Sequence, residues 1–185
     1  FVAFGPDDGC YYYSAYAVPS WTYAFFRVLK TYIGQLEILA VLFCYLTLSR
    51  RVVANRPVLH YIDNTSSMAG AIKGYSPKSD SAMLLTFLHL LFAGLNIAPW
   101  FAYVASKANC SDGPSRFDFS FAARVLGALW VDPVSLTREQ LMAGPRSWIV
   151  QATKKAKRDS GAARRARKRH NSGSAPPAEQ AGYIV

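Results

Sequence analysis

The chain has 185 residues, about half of them apolar, and a formal net charge of +10. That length leaves room for one domain with a real core plus an appendage. Its three cysteines (Cys10, Cys44 and Cys110) are odd in number and far apart, which excludes a disulfide framework or a C-x-x-C zinc site and suits a reducing, nuclear or cytoplasmic compartment.

In chain order, Phe1 to Phe4 is apolar, Gly5-Pro6-Asp7-Asp8-Gly9 is a strong turn signal, and Tyr11 to Val18 is aromatic and β-prone, so the start reads as a hairpin. A loop follows, with a short helix expected through Arg27-Val28-Leu29. Ile33 to Leu48 is the clearest helix: Ile33, Leu36, Glu37, Ala40, Val41, Cys44 and Tyr45 share one face at a period of 3.6, and that face is expected to pack on a sheet. A carboxylate on such a face is costly unless paired, protonated or bound to a metal. Val58 to Ile62 suits a buried strand, ending in Asp63-Asn64-Thr65-Ser66, residues that stop a strand and cap a helix. Ser66 to Lys73 reads as a helix closed by Gly74, a loop runs to Asp80, a longer helix runs to about Leu95, and Pro99 to Ala105 reads as a second apolar strand. Residues 106–116 form a loop containing Asp112. Phe119 to Trp130 and Thr137 to Met142, the latter with a capping box from Thr137 and Gln140, are further helix candidates.

Met83 to Ala105 has no formal charge over 23 residues, long enough for a membrane span. His89, Asn96, Pro99 and the break at Gly94-Leu95-Asn96 favour a helix followed by a buried strand. A small membrane protein with a basic tail is the reading left open on this segment. His60 and His89 lack a Cys or His partner at ligand spacing and read as core or surface residues.

The charge is uneven. Residues 1–150 hold 12 Lys/Arg against 9 Asp/Glu, whereas residues 151–170 hold 9 against 1. Lys154, Lys155, Lys157, Arg158, Arg164, Arg165, Arg167, Lys168 and Arg169 make a tail too poor in apolar residues to fold alone. Such a tail fits nucleic-acid phosphates or nuclear import, and equally a solvated disordered extension. Three units are expected: residues 1–120 as the α/β domain, 121–150 as a helical extension, and 151–185 as a disordered basic tail.

Glu37, Asp63 and Asp112 are three isolated carboxylates on three elements. Taken singly, each has an ordinary reading: a helix-face Glu with a basic partner, a helix cap, and a turn. Together, the segments Gln35-Leu36-Glu37-Ile38-Leu39-Ala40, Tyr61-Ile62-Asp63-Asn64-Thr65 and Val104 to Arg116, the last matching V-x-S-x-x-N-x-x-D-x-x-S-R, resemble the ribonuclease H-like domains of retrotransposon and pararetrovirus-type reverse transcriptase polyproteins.

The resemblance implies an α/β fold with a mixed sheet and flanking helices. It also implies hydrolysis of the RNA strand of an RNA–DNA hybrid by two Mg²⁺ (or Mn²⁺) ions about 4 Å apart, and a polymerase domain upstream in the parent polyprotein, with no membrane. Glu37, Asp63 and Asp112 would be the catalytic metal ligands, Asn64 would touch substrate, and Ser115 and Arg116 would anchor the loop. The family's first carboxylate lies on a strand ahead of Phe1, so the chain reads as truncated at its N-terminus, with three of four ligands. Asp7 and Asp8, at the hairpin tip, are not expected to replace the fourth. A non-catalytic nucleic-acid-binding remnant of the same fold is the alternative.

Overall fold

The structure, a computed structural model, describes residues 1–26, 30–48, 50–134 and 137–143. The helix expected through residues 27–29 and the basic tail lie outside them. The described elements are β1 (Val2–Gly5), β2 (Cys10–Tyr13), α1 (Ile33–Thr47), α2 (Arg50–Val53), β3 (Arg56–Ile62), α3 (Thr65–Lys73), α4 (Ser79–Leu95), β4 (Ile97–Tyr103), α5 (Asp112–Ser115), β5 (Leu129–Trp130) and α6 (Arg138–Met142). This is a mixed α/β arrangement with flanking helices, in which the strands form two sheets, β1-β2-β5 and β3-β4.

The hairpin forms where the turn residues predicted it. β1 and β2 are antiparallel, with Gly5 opposite Cys10 and Val2 opposite Tyr13. β2 stops at Tyr13 rather than running to Val18, and a 3-10 turn over Ser20–Phe25 precedes α1.

β3 and β4 pair in parallel over seven residues, from Arg56 opposite Ile97 to Ile62 opposite Tyr103. Both strands begin just after an asparagine in the left-handed region, Asn55 (φ 59°) and Asn96 (φ 51°). Asparagine tolerates this conformation better than other side-chain-bearing residues. The two are joined by a hydrogen bond from Asn96 Nδ2 to Asn55 Oδ1 at 3.2 Å. Residues 83–105 are therefore the later part of α4, a sharp turn at Asn96, and β4. Among the described residues no helix is long and apolar enough to cross a membrane.

The core is built on α1 and α4, with Leu39, Leu42, Tyr45, Leu46, Leu84, Leu85, Leu88 and Leu91 almost wholly buried. Ala3 and Tyr12 of one sheet and Val58, Ile62 and Phe101 of the other pack against the same cluster, so one helical layer backs both sheets. The face predicted for α1 is only half right. Val41, Cys44 and Tyr45 are buried, but Ile33 and Ala40 are exposed, while Gln35, Ile38, Leu39, Leu42, Phe43 and Leu46 are buried instead. With apolar residues all round, the helix carries too little periodic signal to fix its rotation.

The helix expected over Phe119 to Trp130 is corrected. Only a single wide turn, Phe121–Val125, forms there. Gly127 at φ 59° then redirects the chain, and β5 lies parallel to β2 with Trp130 opposite Tyr13. The aromatic rings of Tyr13, Phe119 and Trp130 pack together with centroids 5.3–5.5 Å apart, Trp130 edge-on to both others and Tyr13 tilted against Phe119. α6 has the predicted capping box, with Thr137 Oγ1 accepting from the Gln140 N–H and the Gln140 side chain accepting from the Thr137 N–H.

Candidate functional site

Parallel pairing brings the carboxyl ends of β3 and β4 together, continued by the Val104 N–H donating to the Ile62 carbonyl at 3.1 Å. Asp63 leaves the end of β3, and the loop carrying Asp112 leaves the end of β4. Such an end is where open α/β sheets place ligands.

Asn64 follows Asp63 and caps α3, its Oδ1 accepting from the Ser67 N–H at 3.0 Å. Its Nδ2 donates to Glu37 Oε1 at 3.2 Å, which ties the first turns of α1 to the end of β3. The Ser67 hydroxyl donates to the Gly34 carbonyl at a long 3.5 Å. Glu37 Oε2 is shielded from solvent with no hydrogen-bond partner. Burial pushes the Glu37 carboxyl above its ordinary range, Ser67 and Asn64 pull the other way, and the nearby charge of Asp63 adds to the rise. The Asp63 charge beside Glu37, whose second oxygen is buried and bare, forms an arrangement a cation would relieve.

Asp112 is placed differently. It opens α5, and its Oδ1 accepts from Arg116 Nε at 3.3 Å and from an Arg116 terminal nitrogen at 3.2 Å. The Ser115 hydroxyl donates to the Asp112 carbonyl at 2.7 Å. Ser115 and Arg116 thus both bond Asp112, and Arg116 does so by occupying its carboxylate. Among the described residues no three His, Cys, Asp or Glu side chains gather to hold a metal ion. The structure brings together Glu37, Asp63 and Asn64, and leaves Asp112 outside that group. By donor chemistry the group fits a hard divalent cation, with two carboxylates rather than three.

Asp7 and Asp8 lie at the opposite end of the sheets. Asp7 pairs with Arg56 at the start of β3, at 2.6 and 3.1 Å, and Asp8 accepts from the Cys10 N–H at 3.1 Å and from the Tyr12 hydroxyl. Neither reaches the Asp63 end. His60 and His89 make structural contacts. His60 Nδ1 and the Tyr45 hydroxyl lie 3.2 Å apart with their rings stacked, and His89 Nε2 donates to the Ala71 carbonyl at 2.9 Å, tying α4 to α3.

One buried polar pair was not foreseen. Gln35 Nε2 donates to Asp80 Oδ2 at 3.2 Å, while Asp80 Oδ1 accepts from the Ser81 N–H at 2.8 Å, both residues being out of solvent. The sequence signal was Asp80 at a helix start, read as a cap. Its helix-spanning partner had no signal. Beside the loop, an apolar cavity of about 220 Å³ lies between α1, the chain after β2, and Pro114 to Phe117.

No protein-family model, curated protein or solved structure matches the chain.

Proposed function

We propose that the described residues are an RNase H-like nuclease domain of a retroelement polyprotein, acting on the RNA strand of an RNA–DNA hybrid. The observation that carries this reading is the Asn64-linked pair of Glu37 and Asp63 at the carboxyl end of a parallel strand. It stands with the element order hairpin, long helix and short helix, strand, two helices, strand, and the loop of Asp112, Ser115 and Arg116 at the same end of the sheet. Glu37 and Asp63 would hold Mg²⁺ or Mn²⁺, with Asp112 joining on release from Arg116. When bound, such ions supply an ionised water and stabilise the leaving oxygen. In this chain, Asn64 fixes one oxygen of Glu37 and leaves the other without a hydrogen-bond partner, and the α3 cap holds Asn64 in that pose. The test is Mn²⁺- and Mg²⁺-dependent cleavage of a labelled RNA–DNA hybrid, with Asp63→Asn as control. Cleavage that survives in the mutant would sink the assignment.

The second reading is a nucleic-acid-binding remnant of the same fold, favoured by the Asp112–Arg116 pair, which leaves two carboxylates together where the chemistry needs more. Hybrid binding without cleavage, weakened steeply by salt through the Lys154–Arg169 tail, would support it.

A further inference from the structure

Six of the described residues take the left-handed backbone conformation. Five are Gly9, Gly74, Gly127, Asn55 and Asn96, the residue types that enter it at least cost. The sixth is Phe117, at φ 62°. A bulky side chain makes this an outlier, and such strain persists only where neighbouring contacts hold it. Here they do. The Gly113 carbonyl accepts from the Arg116 and Asp118 N–H groups, both at 2.9 Å, and the Pro114 carbonyl accepts from the Phe117 N–H at 3.1 Å. The turn is so tight that a β-carbon on Gly113 would lie 2.8 Å from the Asp118 carbonyl oxygen. Asparagine at position 117 would keep this turn with less strain, as it does at Asn55 and Asn96.

The ring is only partly used in packing. It meets the Phe119 ring edge-on, with centroids 6.3 Å apart, and lines the apolar cavity, yet Phe117 is 57% exposed. Its surroundings on the connection after β4 are aromatic and cationic. Tyr103 and Lys107 are exposed, and the side chain of Arg116, next to Phe117, is 76% exposed. Asp112, the one acidic residue between Tyr103 and Phe117, is already engaged by Arg116. A ring offered to solvent beside a guanidinium matches a nucleotide, whose base presents a π face and whose phosphate accepts charge-assisted hydrogen bonds. Inside a duplex the faces of each base are covered by its neighbours, so such a ring selects an unpaired base.

We infer that Phe117 is a stacking residue for an unpaired base adjoining the RNA–DNA hybrid, with the Arg116 guanidinium beside it for a neighbouring phosphate. The inference rests on the nucleic-acid reading above and is common to its nuclease and remnant forms. It explains why a strained aromatic stands where the fold alone would be served by asparagine.

The probe is a short fluorescein-labelled RNA–DNA hybrid with one unpaired adenosine, placed at each strand end in turn, against the same hybrids with an abasic residue at that position. Each is titrated with the full chain by fluorescence anisotropy. The phosphates are equal in number, so contacts made by the basic tail cancel. At one end or more, the base should tighten binding to the unaltered protein by about tenfold. Phe117→Tyr should keep that preference. Phe117→Asn should abolish it, while its thermal midpoint stays level or rises by about 2–4 °C as strain is released. Equal binding of adenosine and abasic hybrids by the unaltered protein overturns the inference without recourse to a variant, and leaves the nucleic-acid reading in place. A preference that survives in Phe117→Asn overturns it too. So does a midpoint lowered by more than about 2 °C in that variant, which would make the ring a packing element over the cavity. Failure to bind any of the hybrids removes the nucleic-acid reading and this inference together.

Discussion

The Asn64 side chain uses both ends of its amide at once, donating to Glu37 Oε1 at 3.2 Å and accepting from the Ser67 N–H at 3.0 Å. One residue therefore joins the end of β3, the start of α3 and the first turns of α1. Asn64→Ala removes the cap and the amide donor to Glu37 together, and is expected to cost about 1–2 kcal/mol in urea unfolding. Asn64→Asp keeps the cap but sets a third carboxylate beside Glu37 and Asp63. Its loss should be small in acid and grow as pH rises through the carboxylate range. A pH-independent loss would show that Glu37 does not feel residue 64.

Glu37 gives a second pH signature. Its folded value is raised, first by burial. The folded state therefore holds the proton more tightly than the unfolded chain, so stability is fully present below the unfolded glutamate value and is lost as pH rises through the folded one. Glu37→Gln abolishes that loss. It should match the parent in acid and exceed it at neutral pH, since the neutral amide places no charge in the buried position. Millimolar Mg²⁺ should narrow the neutral-pH difference by stabilising the parent alone, if Glu37 and Asp63 hold the ion. Thermal unfolding with and without Mg²⁺ checks both arms.

Asp63-Asn64, the capping box of α6 and the Gly74 stop were legible because each is a local rule: short polar side chains meet backbone groups within four residues, and a glycine takes the left-handed turn that closes a helix. The parallel pairing of β3 and β4 was legible from two apolar runs separated by helices. What was not legible depended on distant partners. The rotation of α1 is set by a core that surrounds it. Trp130 is a strand residue only because Tyr13 and Phe119 wait for its ring. The Arg116 hold on Asp112 is an i, i+4 contact that a loop motif does not announce. The division into two sheets is a property of edges, which no hydrophobic pattern records.

His60 sits against Tyr45 and Phe101, and burial pushes its imidazole down to about 4. Against an unfolded value near 6.5, the unfolded chain binds the extra proton between these two values, so stability should fall as pH drops from about 6.5 toward 4 and then level off. His60→Phe removes this component of the slope and leaves the Tyr45 hydroxyl without its partner, a cost of about 1 kcal/mol at neutral pH. Urea midpoints of parent and mutant across that window decide it. Parallel pH curves would mean that His60 is not the group responsible.

The buried pair Gln35–Asp80 ties α1 to the start of α4. Asp80→Ala leaves the Gln35 amide and the Ser81 N–H short of an acceptor inside the core, and should cost about 2–3 kcal/mol. Asp80→Asn retains an oxygen for Ser81 and should cost roughly half as much. Equal losses in the two would show that packing rather than hydrogen bonding fixes this contact.

Whether Asp112 serves the candidate site turns on how firmly Arg116 holds it. The Arg116 side chain is 76% exposed and that of Asp112 45%, and ion pairs in such positions are weak and screened by salt. The pairing is thus a weak contact, and the nuclease reading requires a divalent cation to displace it. Arg116→Gln should shift the Mn²⁺ midpoint, followed by thermal stabilisation, by less than about threefold, because little is released when a weak pair is removed. Asp112→Asn should shift it by about tenfold or more, the loss of one charged ligand. If instead Asp112→Asn leaves the midpoint in place while Asp63→Asn abolishes it, the cation is held by Glu37 and Asp63 alone. The remnant reading would then stand over the nuclease one, because two carboxylates cannot secure the pair of ions that in-line hydrolysis requires.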